Sequence, residues 1–252
     1  MTADTPPTAA LIVIGNEILS GRTQDANVKY IAGRLSAMGI PLREVRVVPD
    51  EEAAIIKAVN TLRARETYVF TTGGIGPTHD DITAASIGAA FGLPVLRHPE
   101  AERVMRDAYG DDITEVRLRM ASMPEGAALI ENPASGAPGF RVGSVFVLAG
   151  VPSIMRAMFE SLAPGLTGGP PILSRAVTAT VRESEVAEAL SAIQDRWPDV
   201  DLGSYPWARG GQIGTTLVAR GTDKAVLEAV VTDLCALIDG LGLDATIQEG
   251  GG

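Results

Sequence analysis

Apolar residues in the first two thirds of the chain alternate between two rhythms. Residues 9–14 are an uninterrupted apolar run ending at Gly15, the pattern of a strand buried on both faces. Val28, Ile31, Leu35 and Met38 follow at helical spacing, with Asp25 or Asn27 available as a cap, Gly39 closing and Pro41 beyond. Residues 42–48 then read as a strand stopped by Pro49-Asp50, and residues 51–62 as a helix presenting Ile55, Ile56, Val59 and Leu62 on one face. A third strand at 68–72 runs into Gly73-Gly74-Ile75-Gly76-Pro77, and a third helix is expected from about Asp80-Asp81 to Phe91. Residues 99–109 and 114–120 look helical, 128–130, 140–142 and 145–148 look like short strands, and Gly150-Val151-Pro152 opens a helix reaching Leu162. This β-α-β-α-β-α order predicts an α/β domain over 9–165: three layers, doubly wound, around a mostly parallel sheet.

Residues 166–171 (LTGGPP) read as a linker, after which the rhythm changes. A strand at 176–181 leads to a helix at 184–194 with Val186, Leu190 and Ile193 inward. Residues 200–204 and 213–219 can pair through the turn at 207–211, followed by a helix at 224–238 and a strand at 245–248. The order β-α-β-β-α-β is the ferredoxin-like split unit, so a second, smaller α+β domain is expected over 172–249.

Composition narrows the function classes. Apolar residues make up 46% of the chain and aromatics 4%, so the core must be aliphatic, as alternating strands and helices allow. A formal net charge of −10 without any run of Lys or Arg argues against a nucleic-acid partner. A small anionic ligand stays compatible with that charge, because backbone amides or a bound cation can dominate locally. Cys235 is the single cysteine and His79 and His98 the only histidines, excluding a disulfide framework and a Cys- or His-rich metal centre. No apolar run approaches the ~18 residues of a membrane span, and the N-terminus lacks the pattern of a signal peptide. A cytoplasmic protein with no membrane partner is the expectation.

Candidate chemistry concentrates at Thr71-Thr72-Gly73-Gly74-Ile75-Gly76-Pro77-Thr78-His79-Asp80-Asp81-Ile82-Thr83, between an apolar strand and a helix. Glycines there let backbone amides approach a phosphate, although such a turn also serves as a plain tight connection. The segment is neither a Walker loop nor the GxGxxG fingerprint. Asp80 reads better as a helix cap than as a reactive group, and His79 better as a surface residue than as a base. Asp81, with Asp50 at the end of the neighbouring strand, carries more: two carboxylates beside a phosphate repel it unless Mg²⁺ or a similar divalent cation bridges them. The alternatives for Asp81 and Asp50 are a helix cap and an ordinary turn residue.

The segment 71–83 is similar to the TTGGTGxxxxDxT signature of the molybdopterin-binding-domain superfamily, with Ile75 where Thr is usual. Residues 13–21 (VIGNEILSG) resemble its opening GxExLxG turn. Residues 132–140 (NPASGAPGF) resemble the NPxGxAPGF stretch of its competence/damage-inducible protein A (CinA) group. Residues 148–152 (LAGVP) resemble LPGVP, with Ala149 replacing proline. The resemblance implies that Asp50 and Asp81 are the catalytic and metal-holding carboxylates of an adenylylation-type site. It places Thr72, Gly73, Gly74, Gly76 and Thr78 in a phosphate-facing loop, and Gly15, Asn16, Glu17, Gly150 and Ser153 along the same crevice. Ser135 and Gly136 join that set, though they read equally as a loop. It further implies a nucleotide or pterin phosphate as ligand, a homo-oligomer (dimer or trimer), and metal-dependent hydrolysis of a nucleoside diphosphate such as ADP-ribose. The alternatives are molybdopterin adenylyltransferase-like activity and a non-catalytic sensor. The tail around Ser204-Tyr205-Pro206 looks like the middle domain of CinA-type proteins, without the amidase domain that full-length members often add.

Overall fold

The computed structural model describes residues 6–249, which divide into two compact units: residues 6–36 with 40–169, and residues 37–39 with 170–249. The larger unit begins with β1 (Ala9–Ile14), a four-residue turn of helix α1 (Asn16–Leu19), α2 (Asn27–Ala37), β2 (Leu42–Val48), α3 (Glu52–Arg63) and β3 (Tyr68–Thr72). It continues with α4 (Thr83–Phe91), β4 (Val95–Arg97), α5 (Pro99–Tyr109), β5 (Ser122–Pro124), β6 (Ala128–Ile130), β7 (Gly139–Val142), β8 (Val145–Leu148) and α6 (Pro152–Leu162).

Six of these strands form one sheet in the order β2-β1-β3-β8-β7-β6. β2, β1, β3 and β8 are parallel, while β7 and β6 add an antiparallel edge. All six residues of β1 are buried, as a central strand covered on both faces requires. Ile12 and Ile14 pack with Ile55, Val59 and Leu62 of α3 and Ile87 of α4. From β3, Phe70 stacks on Phe146 at 5.2 Å and meets Phe159 of α6 at 5.6 Å between ring centroids. Phe70, Phe146 and Phe159 therefore form an aromatic cluster within a core that is otherwise mostly aliphatic.

Three local readings of the sequence are corrected. The third helix starts at Thr83, past the acidic pair, because residues 78–82 are held in a turn by their own side chains. Residues 114–120 do not form an α-helix: a short 3₁₀ turn at Arg117–Ala121 buries only Leu118 and Ala121, then passes into β5. β5 pairs antiparallel with β4, a two-stranded ladder that Val95–Arg97 was too short to announce.

The smaller unit runs β9 (Leu173–Ala179), α7 (Glu183–Arg196), β10 (Asp201–Arg209), β11 (Gln212–Gly221), α8 (Lys224–Gly240) and β12 (Ala245–Glu249). Its antiparallel sheet has the order β10-β11-β9-β12, the ferredoxin-like arrangement. Val177, Leu217 and Ala219 of the sheet pack with Val186 and Ile193 of α7 and with Leu227, Val230 and Leu234 of α8. The α8 helix is capped by Asp223, whose carboxylate accepts from the Ala225 and Val226 N–H groups.

Candidate active site

In the parallel part of the sheet, Ile14 is in register with Val48, Val13 with Thr72, and Thr72 with Leu148. Neighbouring strands therefore stop at one level, and the chain leaves them through Gly15, Pro49-Asp50, Gly73-Gly74 and Ala149-Gly150. A crevice of about 340 Å³ opens above these exits. This is where open α/β sheets hold ligands, outside the carboxyl ends of parallel strands. Glu17, Asp50, Gly73, Gly74, Gly76, Asp81, Ser135 and Gly150 line it.

Close backbone approach explains the glycines. Gly73 has φ of +104°, its N–H donates to the Leu148 carbonyl at 3.2 Å, and a Cβ there would collide with the Ile14 carbonyl. A Cβ on Gly74, at φ +65°, would strike the Thr83 hydroxyl. That hydroxyl, fully buried, donates to the Gly73 carbonyl at 2.9 Å, and the Thr83 N–H donates to the Gly74 carbonyl at 3.0 Å. The loop is thus bolted to the first turn of α4 from behind. On its other flank, a Cβ on Gly150 would lie 3.2 Å from the Gly73 Cα.

Each carboxylate is anchored through one oxygen. Asp50 Oδ2 accepts from the Asn16 N–H at 2.8 Å, so it caps the α1 turn from the adjacent strand end. Asp81 Oδ2 accepts from the Thr78 N–H at 2.8 Å and from the Thr78 hydroxyl at 2.5 Å. Asp81 does not cap α4, whose cap position is Ile82. The same Thr78 hydroxyl lies 2.6 Å from Asp80 Oδ1, and this contact, with the backbone hydrogen bond of Asp80 itself, holds the Asp80 carboxyl below its ordinary range. A hydroxyl has one proton to donate, so two carboxylates compete for it and the turn keeps uncompensated negative charge. Gly76 sits so close to Asp81 that a Cβ would lie 2.6 Å from Oδ2.

The remaining residues of the sequence-derived set flank the crevice without lining it. Gly15 is buried, its N–H donating to the Val48 carbonyl at 3.1 Å, and Asn16 contributes the N–H that holds Asp50. Thr72 is buried one residue below the loop, and Thr78 organises the acidic turn from outside. Gly136 turns at φ +76° against Ala108, and Ser153 is exposed in the first turn of α6. His79 is 97% exposed and does not line the crevice.

Several lining residues escaped sequence reasoning. Asp80, read from the sequence as a helix cap, does not cap α4 and instead lines the crevice together with Asp81. Asn132 is buried and holds the following loop: its amide donates to Ser135 Oγ at 2.6 Å and to the Ala137 carbonyl at 2.7 Å. That role was foreshadowed by an Asn-Pro opening a loop. Met120, Ile154 and Met158 give an apolar wall, of which only the i, i+4 spacing of Ile154 and Met158 was visible beforehand. Among the described residues, no group of three or more His, Cys, Asp or Glu side chains converges as a ready metal cage.

Fold and site together define an α/β protein with a glycine-rich, acid-flanked crevice at the strand ends. Residues 10–168 match the family model described as a probable molybdopterin binding domain, and residues 171–244 match the middle domain of FAD synthase. A protein of Pyrobaculum arsenaticum is 36% identical over 248 residues, covering 88% of this chain and 93% of its own length. The CinA-like protein of Gloeobacter violaceus is 30% identical over 94% of this chain, which spans only 59% of that relative. The crystal structure of CinA from Thermoplasma acidophilum, described as of unknown function, superposes with a TM-score of 0.60 at 34% identity. It covers 64% of this chain and 98% of its own. The chain belongs to the molybdopterin-binding-domain family and, within it, to the CinA-like group.

Proposed function

We propose that the crevice binds a nucleotide or pterin phosphate and that the protein is a hydrolase cleaving the diphosphate of a nucleoside diphosphate such as ADP-ribose. The observation that carries this reading is the shared crevice: the Gly73-Gly74-Gly76 loop and the Asp50 and Asp81 carboxylates face the same 340 Å³. Backbone amides of the loop would hold phosphate oxygens, and the apolar wall of Met120, Ile154 and Met158 would receive a flat ring. A pair of carboxylates, Asp50 and Asp81, fits a hard divalent cation, because Mg²⁺ commonly takes one or two carboxylates and completes its shell with phosphate and water. Such a cation, when bound, supplies neutralising charge at the phosphate oxygens. Asp50 and Asp81 each keep one oxygen free of protein donors for that purpose.

In the hydrolysis, a water oxygen bonds to one phosphorus while the bridging P–O bond breaks. ADP-ribose then yields AMP and ribose 5-phosphate. A second reading, adenylyl transfer from ATP to a pterin phosphate, uses the same cradle: a pterin phosphate oxygen bonds to the α-phosphorus while the α–β bridging P–O bond breaks and pyrophosphate leaves, and the family match supports it. Turnover of ADP-ribose, FAD and ATP, with and without Mg²⁺, separates the readings. Mg²⁺-dependent release of AMP from ADP-ribose is the expected result. Saturable binding of all three without any product would leave a nucleotide sensor instead. A homo-oligomer also belongs to this reading, since edge strand β2 leaves Val45 and Val47 exposed; light scattering giving a monomer mass at micromolar concentration would remove it.

A further inference from the structure

The ferredoxin-like unit has a second concave surface that the crevice chemistry does not use. Its helices α7 and α8 pack on one face of the sheet, where Val177, Leu217 and Ala219 point. Residues of opposite parity, Thr178, Tyr205, Trp207, Thr216, Val218 and Arg220, line a shallow basin of about 670 Å³ on the other face. Two aromatic rings lie down on this face. A Cβ on Gly203 would come within 3.0–3.3 Å of three atoms of the Tyr205 ring and hydroxyl, so the ring covers Gly203 in its own strand. Trp207 is in register with Gly214 across β10 and β11, and a Cβ on Gly214 would run into its indole. Side chains at either glycine would lift the rings off the sheet. Flat, partly exposed rings offer their π-faces outward, which is the geometry of a stacking platform.

Charge on the face points the same way. Acidic residues outnumber basic ones across 170–249, yet the basin carries Arg209 and Arg220 and no carboxylate among its lining residues. Each guanidinium carbon lies 6.0 Å from a ring centroid, Arg209 from Trp207 and Arg220 from Tyr205. Asp201 reaches Arg220 only at 3.9 Å with its own side chain 77% exposed, a pair too open to neutralise it. Thr178 and Thr216 add a hydroxyl pair 3.0 Å apart. Rings for a planar heterocycle, arginines for phosphate oxygens and hydroxyls for polar edges therefore converge on one surface.

We infer that this open face is a binding site for a nucleoside phosphate, distinct from the crevice of the larger unit. A mononucleotide fits better than a nucleic-acid strand, since two arginines on a chain of net charge −10 give no extended phosphate track. The chain has only two tryptophans, so the full-length Trp197→Phe variant reports Trp207 fluorescence alone. ADP should quench it saturably, adenosine should bind at least about tenfold more weakly, and inorganic pyrophosphate should leave the emission unchanged. In that background Tyr205→Ala and Arg220→Ala should each weaken ADP by about tenfold with unchanged melting temperature. Tyr205 is 46% exposed, which makes its removal compatible with folding. Asp81→Asn, a change in the other unit, should leave the quench intact. No quench at millimolar ADP overturns the inference, as does a quench indifferent to both variants or abolished by Asp81→Asn. An oligouridylate binding over about tenfold more tightly than ADP would make the face a single-strand site. Loss of oligomer mass in Tyr205→Ala would make it a subunit interface. Either outcome also overturns the inference.

Discussion

The Asn16 backbone N–H donates to Asp50 Oδ2 at 2.8 Å, tying the turn after β1 to the end of β2. The bond gives Asp50 two separable duties, a structural one through Oδ2 and a chemical one through the oxygen left free. Asp50→Asn keeps an acceptor for Asn16 and should stay within a few degrees of the parental melting temperature, while Asp50→Ala loses the cap at a cost of about 0.5–2 kcal/mol. Turnover of ADP-ribose should fall by roughly a hundredfold or more in both. Full activity in Asp50→Asn would reduce Asp50 to its capping role.

Asp81 admits a similar separation. Asp81→Asn can still accept from the Thr78 N–H and hydroxyl, so urea unfolding should shift by no more than about 1 kcal/mol. The lost charge should lower Mg²⁺-dependent turnover by about two orders of magnitude, and metal-free ligand affinity should rise as one repulsive charge disappears. Unchanged turnover in both Asp50→Asn and Asp81→Asn would end the catalytic assignment of the crevice.

Thr83→Val keeps the shape of a buried side chain and removes the donor to the Gly73 carbonyl. A destabilisation of about 1–3 kcal/mol is expected from the unpaired acceptor, together with weaker ligand binding as the loop loosens. Gly73→Ala should be worse, because left-handed backbone strain adds to the collision with Ile14. Chemical denaturation and calorimetric ligand titration read both effects. Equal stability of Thr83→Val and the parent protein would show that the loop is held by its backbone alone.

Away from the site, Glu160 accepts from Arg34 Nε and Nη2, both at 2.7 Å, and from the Tyr30 hydroxyl at 2.5 Å. The Arg34 hydrogen bonds lower the Glu160 carboxyl below its ordinary 4.5. A depressed carboxyl contributes stability that is fully present above that value and is lost as pH falls through the folded one. Because Arg34 and Glu160 remain 39% and 44% exposed, the effect should stay near 0.5–1 kcal/mol after solvent screening. The stability gap between the parent and Glu160→Gln should therefore be constant near neutrality and shrink below about pH 4.5. A gap that does not change down to pH 3 would assign the bonds no part in acid stability.

Much of the architecture was written into the one-dimensional pattern. The unbroken apolar run of Ala9–Ile14 could be satisfied only by a strand covered on both faces, and the Val28, Ile31, Leu35 stripe only by a helix against it. Gly73, Gly74 and Asp81 stood out because few residue types tolerate such a turn, and they do border one crevice. What the sequence could not contain is which atoms meet once the strand ends are brought level. Asp50 lies 34 residues from Asn16, and Thr83 ten from the Gly73 carbonyl, so neither bond leaves a local signature. Asp80 read as a helix cap until the turn folded onto Thr78, which left the cap position to Ile82 and the start of α4 at Thr83. The two flattened rings over Gly203 and Gly214 were likewise invisible, since Trp207 reaches Gly214 only through the register of two antiparallel strands. Periodicity encodes which face of each element is buried, a local property of spacing. Hydrogen bonds and ring contacts depend on distances across elements, and only the tertiary packing sets those.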